Sequence, residues 1–173
     1  MQLSDVKTIK ASPETVWAAI LNPEVLKLCV PGCESMTGSV EDGFEATVKQ
    51  KIGPVSASFS GVVKLSDIDP GRAVTITGEG KGGAAGFAKG GAKVRLTPVE
   101  GGTELAYEVD ASVGGKIAQL GSRLIDGFAK KMADEFFTRF QDAVEPPEEG
   151  EAEGEANTED TPKKGWFKRM IGA

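Results

Sequence analysis

The spacing of hydrophobic residues along this chain changes twice, and each change marks a different kind of element. From Gln2 to Lys10 apolar and polar positions alternate loosely, which predicts a strand. Ser12 followed by Pro13 then reads as a helix start: the hydroxyl can accept from a free amide, and proline sits in the first turn where no amide is needed. Val16, Trp17, Ile20 and Leu21 form the apolar face of that helix, and a second short helix is expected from Pro23 to Cys29, ahead of Pro31-Gly32. From Ser35 to Val113 the period becomes two. This stretch reads as about six strands of an antiparallel meander, with turns at Glu41-Asp42-Gly43, Gly53-Pro54, Asp69-Pro70-Gly71 and Glu100-Gly101-Gly102 among its breaks. After Gly114-Gly115 the period lengthens again. A single long helix is expected from Lys116 to about Val144, with Ile117, Leu120, Leu124, Phe128, Met132, Phe136, Phe140 and Val144 at intervals of three and four.

That order predicts an α+β fold in which a curved antiparallel sheet of about six to seven strands wraps around a long C-terminal helix, with two short helices after the first strand. The helix stripe rotates along its length, so Phe137 and Phe140 do not lie under Ile117 and Leu124. The helix therefore bends near Gly127, or its far end covers another part of the body, or it presents a partner surface.

Taking alternate residues of each strand as inward gives a face rich in small side chains. Gly61, Gly78, Gly80, Ala88, Gly90, Ala92 and Ala111 stand beside Phe44, Phe59, Ile76 and Tyr107. A close-packed core fills its volume, so this lining suggests an apolar space between sheet and helix of the kind that takes small molecules. Leu120, Leu124, Phe128 and Met132 would line it from the helix side, and Gln119 and Arg123 would stand as polar groups at its mouth. The competing reading is that Phe128, Met132 and Phe136 fill the gap.

Charge divides the chain into three segments. The stretch 145–162 holds eight acidic residues and no basic one, whereas 163–173 holds four basic residues and no acidic one. With a net charge of −6 overall, the body over 1–144 is left near −2. The acidic stretch has almost no large apolar residues and is expected to be a disordered linker, spanning about 25 Å if flexible. In the tip, Trp166, Phe167, Met170 and Ile171 fall on one side of a helix, while Lys163, Lys164, Lys168 and Arg169 supply positive charge. This is the pattern of an interfacial amphipathic helix. At about 16 Å long it would lie on a bilayer rather than cross a core of about 30 Å. Docking of the tip on a partner protein is the competing reading. The expected location is cytoplasmic, peripheral on the inner face of the cell membrane, because there is no long apolar run and no secretory pattern.

Composition removes several chemistries. There is no histidine, so the commonest general base and the triads built on it are missing. Cys29 and Cys33 are too few for a tetrahedral metal site and read as structural thiols. Gly78 to Gly83 matches GxGxxG, but an alternating strand follows where a phosphate-binding helix would have to begin. The body offers no basic footprint for nucleic acid. No covalent cofactor and no catalytic set are expected.

Three stretches resemble the CoxG family of carbon monoxide dehydrogenase subunits, within the START and Bet v 1-like helix-grip proteins. They are Pro31-Gly32-Cys33, the run from Ala85 to Val94, and above all the run from Val113 to Ile125. The resemblance covers about Met1 to Val144. It implies a helix-grip ligand-binding domain over 1–144 and a noncatalytic role beside a molybdenum-containing carbon monoxide dehydrogenase or related hydroxylase at the cytoplasmic membrane. Two functions are then open. In one, the cavity carries a lipophilic molecule between membrane and enzyme. The best physical candidate is a respiratory quinone (menaquinone or ubiquinone), with Gln119, Arg123 or Tyr107 bonding a carbonyl. In the other, the protein is an adaptor or assembly factor that recruits the dehydrogenase without a ligand, docking through Phe87 and Phe137. Helix-grip enzymes acting on aromatic or polyketide substrates are a more distant third.

Overall fold

A computed structural model describes residues 1–145. The linker beyond Glu145 and the amphipathic tip at 163–173 lie outside the described residues.

The chain opens with β1 (Gln2–Ile9), followed by α1 (Pro13–Ile20) and α2 (Pro23–Cys29). Both helices begin as their sequences dictate. Ser12 Oγ accepts from the Thr15 amide at 3.2 Å, Asn22 Oδ1 accepts from the Glu24 amide at 2.9 Å, and each has proline in its first turn. Six strands follow: β2 (Cys33–Ser39), β3 (Gly43–Ile52), β4 (Val55–Asp69), β5 (Ala73–Lys81), β6 (Phe87–Val99) and β7 (Gly102–Gly114). They form one antiparallel seven-stranded sheet with β1, in the order β1-β7-β6-β5-β4-β3-β2. The four expected turns are present. A fifth break, the 3-10 turn Gly83–Ala85 between β5 and β6, falls inside the glycine run that gave no turn signal of its own.

The long helix begins later than its periodicity predicts. Gly115–Leu120 is a 3-10 segment, Gly121 follows at φ +95°, and only then does α3 run from Ser122 to Val144. A left-handed residue cannot continue a right-handed helix, and Gly121 is where the chain breaks. Ile117 and Leu120 thus owe their spacing to a tighter turn, not to the same helix as Phe140.

Two separate apolar clusters hold the body together. The larger joins β1, α1, α2, the facing halves of β5 to β7 and the far end of α3, with Ile9, Val16, Val25, Leu105 and Phe140 fully buried. The smaller gathers Ile52, Ala85, Ile117 and Ile125, with Phe59, Leu120 and Phe128 packed against it. This explains the rotating stripe: Ile125 and Phe128 serve one cluster, while Phe136, Phe137 and Phe140 serve the other. Phe137, expected at a docking surface, is buried and stacks on Tyr107 with ring centroids 5.1 Å apart. That expectation is corrected: the register that looked anomalous on one stripe points straight into the larger core.

Thr103 is the one polar residue in the core among those described, and its hydroxyl donates to the Ala11 carbonyl at 2.7 Å, tying β7 to the start of α1. Thr103→Val should cost about 1–3 kcal/mol, because it leaves that carbonyl without its partner. Chemical denaturation, with the midpoint shifting at unchanged slope, checks this.

Candidate functional site: an uncovered band between two cores

Strand register places the small residues side by side. Across the concave face one row reads Ala46, Gly61, Gly80, Ala88, Val113, and the next reads Phe44, Val63, Gly78, Gly90, Ala111. Both rows lie between the larger and the smaller apolar cluster. Apart from Phe44, which is fully buried, every residue of the two rows is only half-buried. Part of that exposure is on the outer face, where Gly78, Gly90 and Ala111 border an open concavity beside Val62, Lys64, Thr77, Glu79 and Lys89, so the surroundings of each glycine decide what lies on the helix side.

The surroundings of the glycines locate that space. A Cβ placed on Gly80 would meet only Ser60 O at 3.9 Å and Phe59 Cβ at 4.0 Å, and one on Gly78 only Val63 Cγ2 at 3.5 Å and Val62 O at 3.6 Å. Gly61 differs: a Cβ there would crowd the Glu79 carbonyl at 3.1 Å, so its glycine serves the close approach of β4 and β5. All of these belong to strands, and at Gly78 and Gly80 no atom of α3 comes within 4 Å. The helix packs instead against α1, α2, β1 and β3 and the 3-10 segment before it. Phe128 and Phe136, which would have filled the gap, are drawn into the smaller and larger clusters respectively. Met132 is half-buried and belongs to neither.

Gly90 has a different reason to be glycine. A Cβ there would run into Asp110 O and the Ala111 backbone, so its hydrogen side chain permits β6 and β7 to approach closely where the sheet bends. Ala92, between Ile76 and Val109 in register, marks the edge of the larger cluster. Phe59 turns its ring toward Gly82, with Cδ2 2.7 Å from where a Cβ would stand, closing one side of the band.

The polar residues do not converge. Gln119 and Arg123 are exposed, on the 3-10 segment and the first turn of α3. Leu124 is 40% exposed and rests over Gly53 of the β3–β4 turn. Tyr107 lies in the larger cluster, where burial first, and then Asp5 and Asp134, raise its pKa. Sequence spacing placed these groups around one cavity; the break at Gly121 and the bulk of Phe137 separate them. Cys29 is buried, and burial pushes its thiol up to about 12, so it stays protonated and unreactive at neutral pH. Among the described residues no acidic or cysteine cluster could hold a metal ion.

A curved antiparallel sheet gripping a C-terminal helix, with apolar room left between them, is a helix-grip protein of the Bet v 1-like class. Solved structures agree. A conserved protein from Geobacillus kaustophilus is 30% identical with a TM-score of 0.77, covering 83% of this chain and 95% of that one. Ara h 8.0201 is 15% identical with a TM-score of 0.58, covering 83% and 97%. An Aha1 protein from Colwellia psychrerythraea is 19% identical with a TM-score of 0.54, covering 84% and 96%. No protein of curated function matches. Over residues 7–145 the chain matches the CoxG family of carbon monoxide dehydrogenase subunits, and it belongs to that family.

Proposed function

We propose that this protein is an accessory, noncatalytic partner of a molybdenum-containing carbon monoxide dehydrogenase or a related hydroxylase. It holds a lipophilic molecule over the small-residue band and carries it between the cytoplasmic membrane and the enzyme. The observation that carries this reading is the uncovered strip at Gly78 and Gly80, where strand atoms alone surround the space a side chain would take. Membership of the family supports the partner. A respiratory quinone, menaquinone or ubiquinone, is the cargo that suits an apolar site beside a redox enzyme, because electrons leaving a dehydrogenase need an acceptor that otherwise stays in the bilayer. The basic, aromatic tip would dock the carrier for loading, and the acidic linker would let the body move to the enzyme.

Tyr107, Gln119 and Arg123 do not face one point, so orientation of a cargo by all three together is not part of the proposal; apolar contact with Phe59, Phe128 and Met132 supplies the binding. Full-length protein purified from a membrane-containing host and extracted into organic solvent should yield a stoichiometric quinone or lipid by mass spectrometry. An empty extract, together with no quenching of intrinsic fluorescence on quinone titration, would defeat the carrier and favour an adaptor that recruits the dehydrogenase without a ligand.

A further inference from the structure

The two ends of the body differ in charge. At one end stand the β3–β4 turn, the 3-10 turn before β6, the 3-10 segment after β7 and the start of α3, gathered around the smaller cluster. Lys51, Lys81, Lys116 and Arg123 are exposed on these segments, and among the described residues none of the four forms an ion pair. From Gly114 to Ile125 there is no acidic residue; Asp126 is the first. Phe87 and Leu124, each 40% exposed, bring apolar surface to the same end. The opposite end carries the β2–β3, β4–β5 and β6–β7 turns and the end of α3, with Glu41, Asp42, Asp67, Asp69, Glu100, Asp142 and Glu145 against Lys10, Arg72 and Arg139. A body of small net charge is therefore dipolar along its length.

We propose that the basic end is a second contact with an anionic lipid bilayer, made by the body itself and independent of the C-terminal tip. The occupant follows from charge complementarity: unpaired lysine and arginine around exposed phenylalanine and leucine match acidic headgroups over an apolar interior, and the acidic pole turns away. The proposal stands on the layout of the body and not on the identity of any cargo. It also sets an orientation. α3 is roughly 35 Å long and ends at the acidic pole, so for tip and body to touch one membrane the linker must run back along the body. Its eighteen residues, 145–162, reach roughly 60 Å when extended, which is enough.

The test uses the full chain with its tip disabled by Trp166→Ser, Phe167→Ser, Lys168→Glu and Arg169→Glu. It should still sediment with vesicles of phosphatidylcholine mixed with phosphatidylglycerol, far better than with pure phosphatidylcholine, and release as salt rises. Adding Lys51→Glu, Lys116→Glu and Arg123→Glu should weaken that binding by at least about 100-fold, since each basic residue lost at an anionic surface removes about fivefold and each new carboxylate adds repulsion. Adding Lys10→Glu, Arg72→Glu and Arg139→Glu instead changes net charge equally at the other pole and should weaken it far less. Equal loss in both sets would reduce the effect to net charge and overturn the proposal. So would a tip-disabled chain that ignores anionic vesicles, which would leave the basic end for an acidic protein surface. Unchanged thermal melts establish that every variant is folded.

Discussion

Gly80→Leu should abolish binding of the proposed lipophilic cargo while leaving the fold intact. The new side chain enters the band from the middle of the concave face, where its Cβ makes only ordinary contacts. A leucine in the interior of β5 also removes the entropic penalty of glycine in a strand, about 0.5–1 kcal/mol, so the melting temperature should hold or rise. Retention of a bound quinone or lipid should fall ~5- to 150-fold, the equivalent of the roughly 1–3 kcal/mol that overpacking an occupied site costs. Gly90→Ala is the informative contrast. Its Cβ would strike the β7 backbone, and roughly 3 kcal/mol of stability should be lost with no side chain reaching the band. Quantifying the organic extract and the thermal melt of both variants separates the two roles of glycine. If Gly80→Leu keeps a full complement of cargo, the band is not the binding site.

Phe140→Ala should be the most destabilising single change in α3. Phe140 is fully buried, stacks on Phe136 at 5.7 Å and meets Phe137 edge-on at 6.3 Å, in the cluster that joins α3 to α1, α2 and β1. Truncating a buried phenylalanine costs about 3–5 kcal/mol, which for a body of this size corresponds to a fall in melting temperature of roughly 10–20 °C. Leu124→Ala, on the same helix but 40% exposed, should cost about 1 kcal/mol or less. Comparable melts for the two would mean that the far end of α3 is not anchored in the larger core.

Local rules made most of the architecture legible. Ser12-Pro13 and Asn22-Pro23 specify helix starts through short-range hydrogen bonds, and period-two alternation from Val55 to Leu65 specifies which side of β4 faces inward. The run from Val113 to Ile125 carries the family resemblance. Periodicity starts α3 too early because Ile117 and Leu120 keep helical spacing through a 3-10 segment, and the break lies in the backbone of Gly121 and not in any apolar position.

Short-range pattern and composition alone dictate the order of elements, the inward face of each strand, the small-residue band as a set of positions, and the succession of an acidic stretch and a basic one after residue 144. These depend on neighbours three or four residues apart or on residue content. Packing between distant segments dictates the rest: Phe128 and Phe136 go to different clusters and leave the band uncovered, Gly80 borders open space while Gly90 borders backbone, and Gln119 and Arg123 face outward. Each of those outcomes depends on the distance between segments far apart in the chain, set by sheet curvature and by where α3 finds its two cores, and no local pattern encodes such a distance.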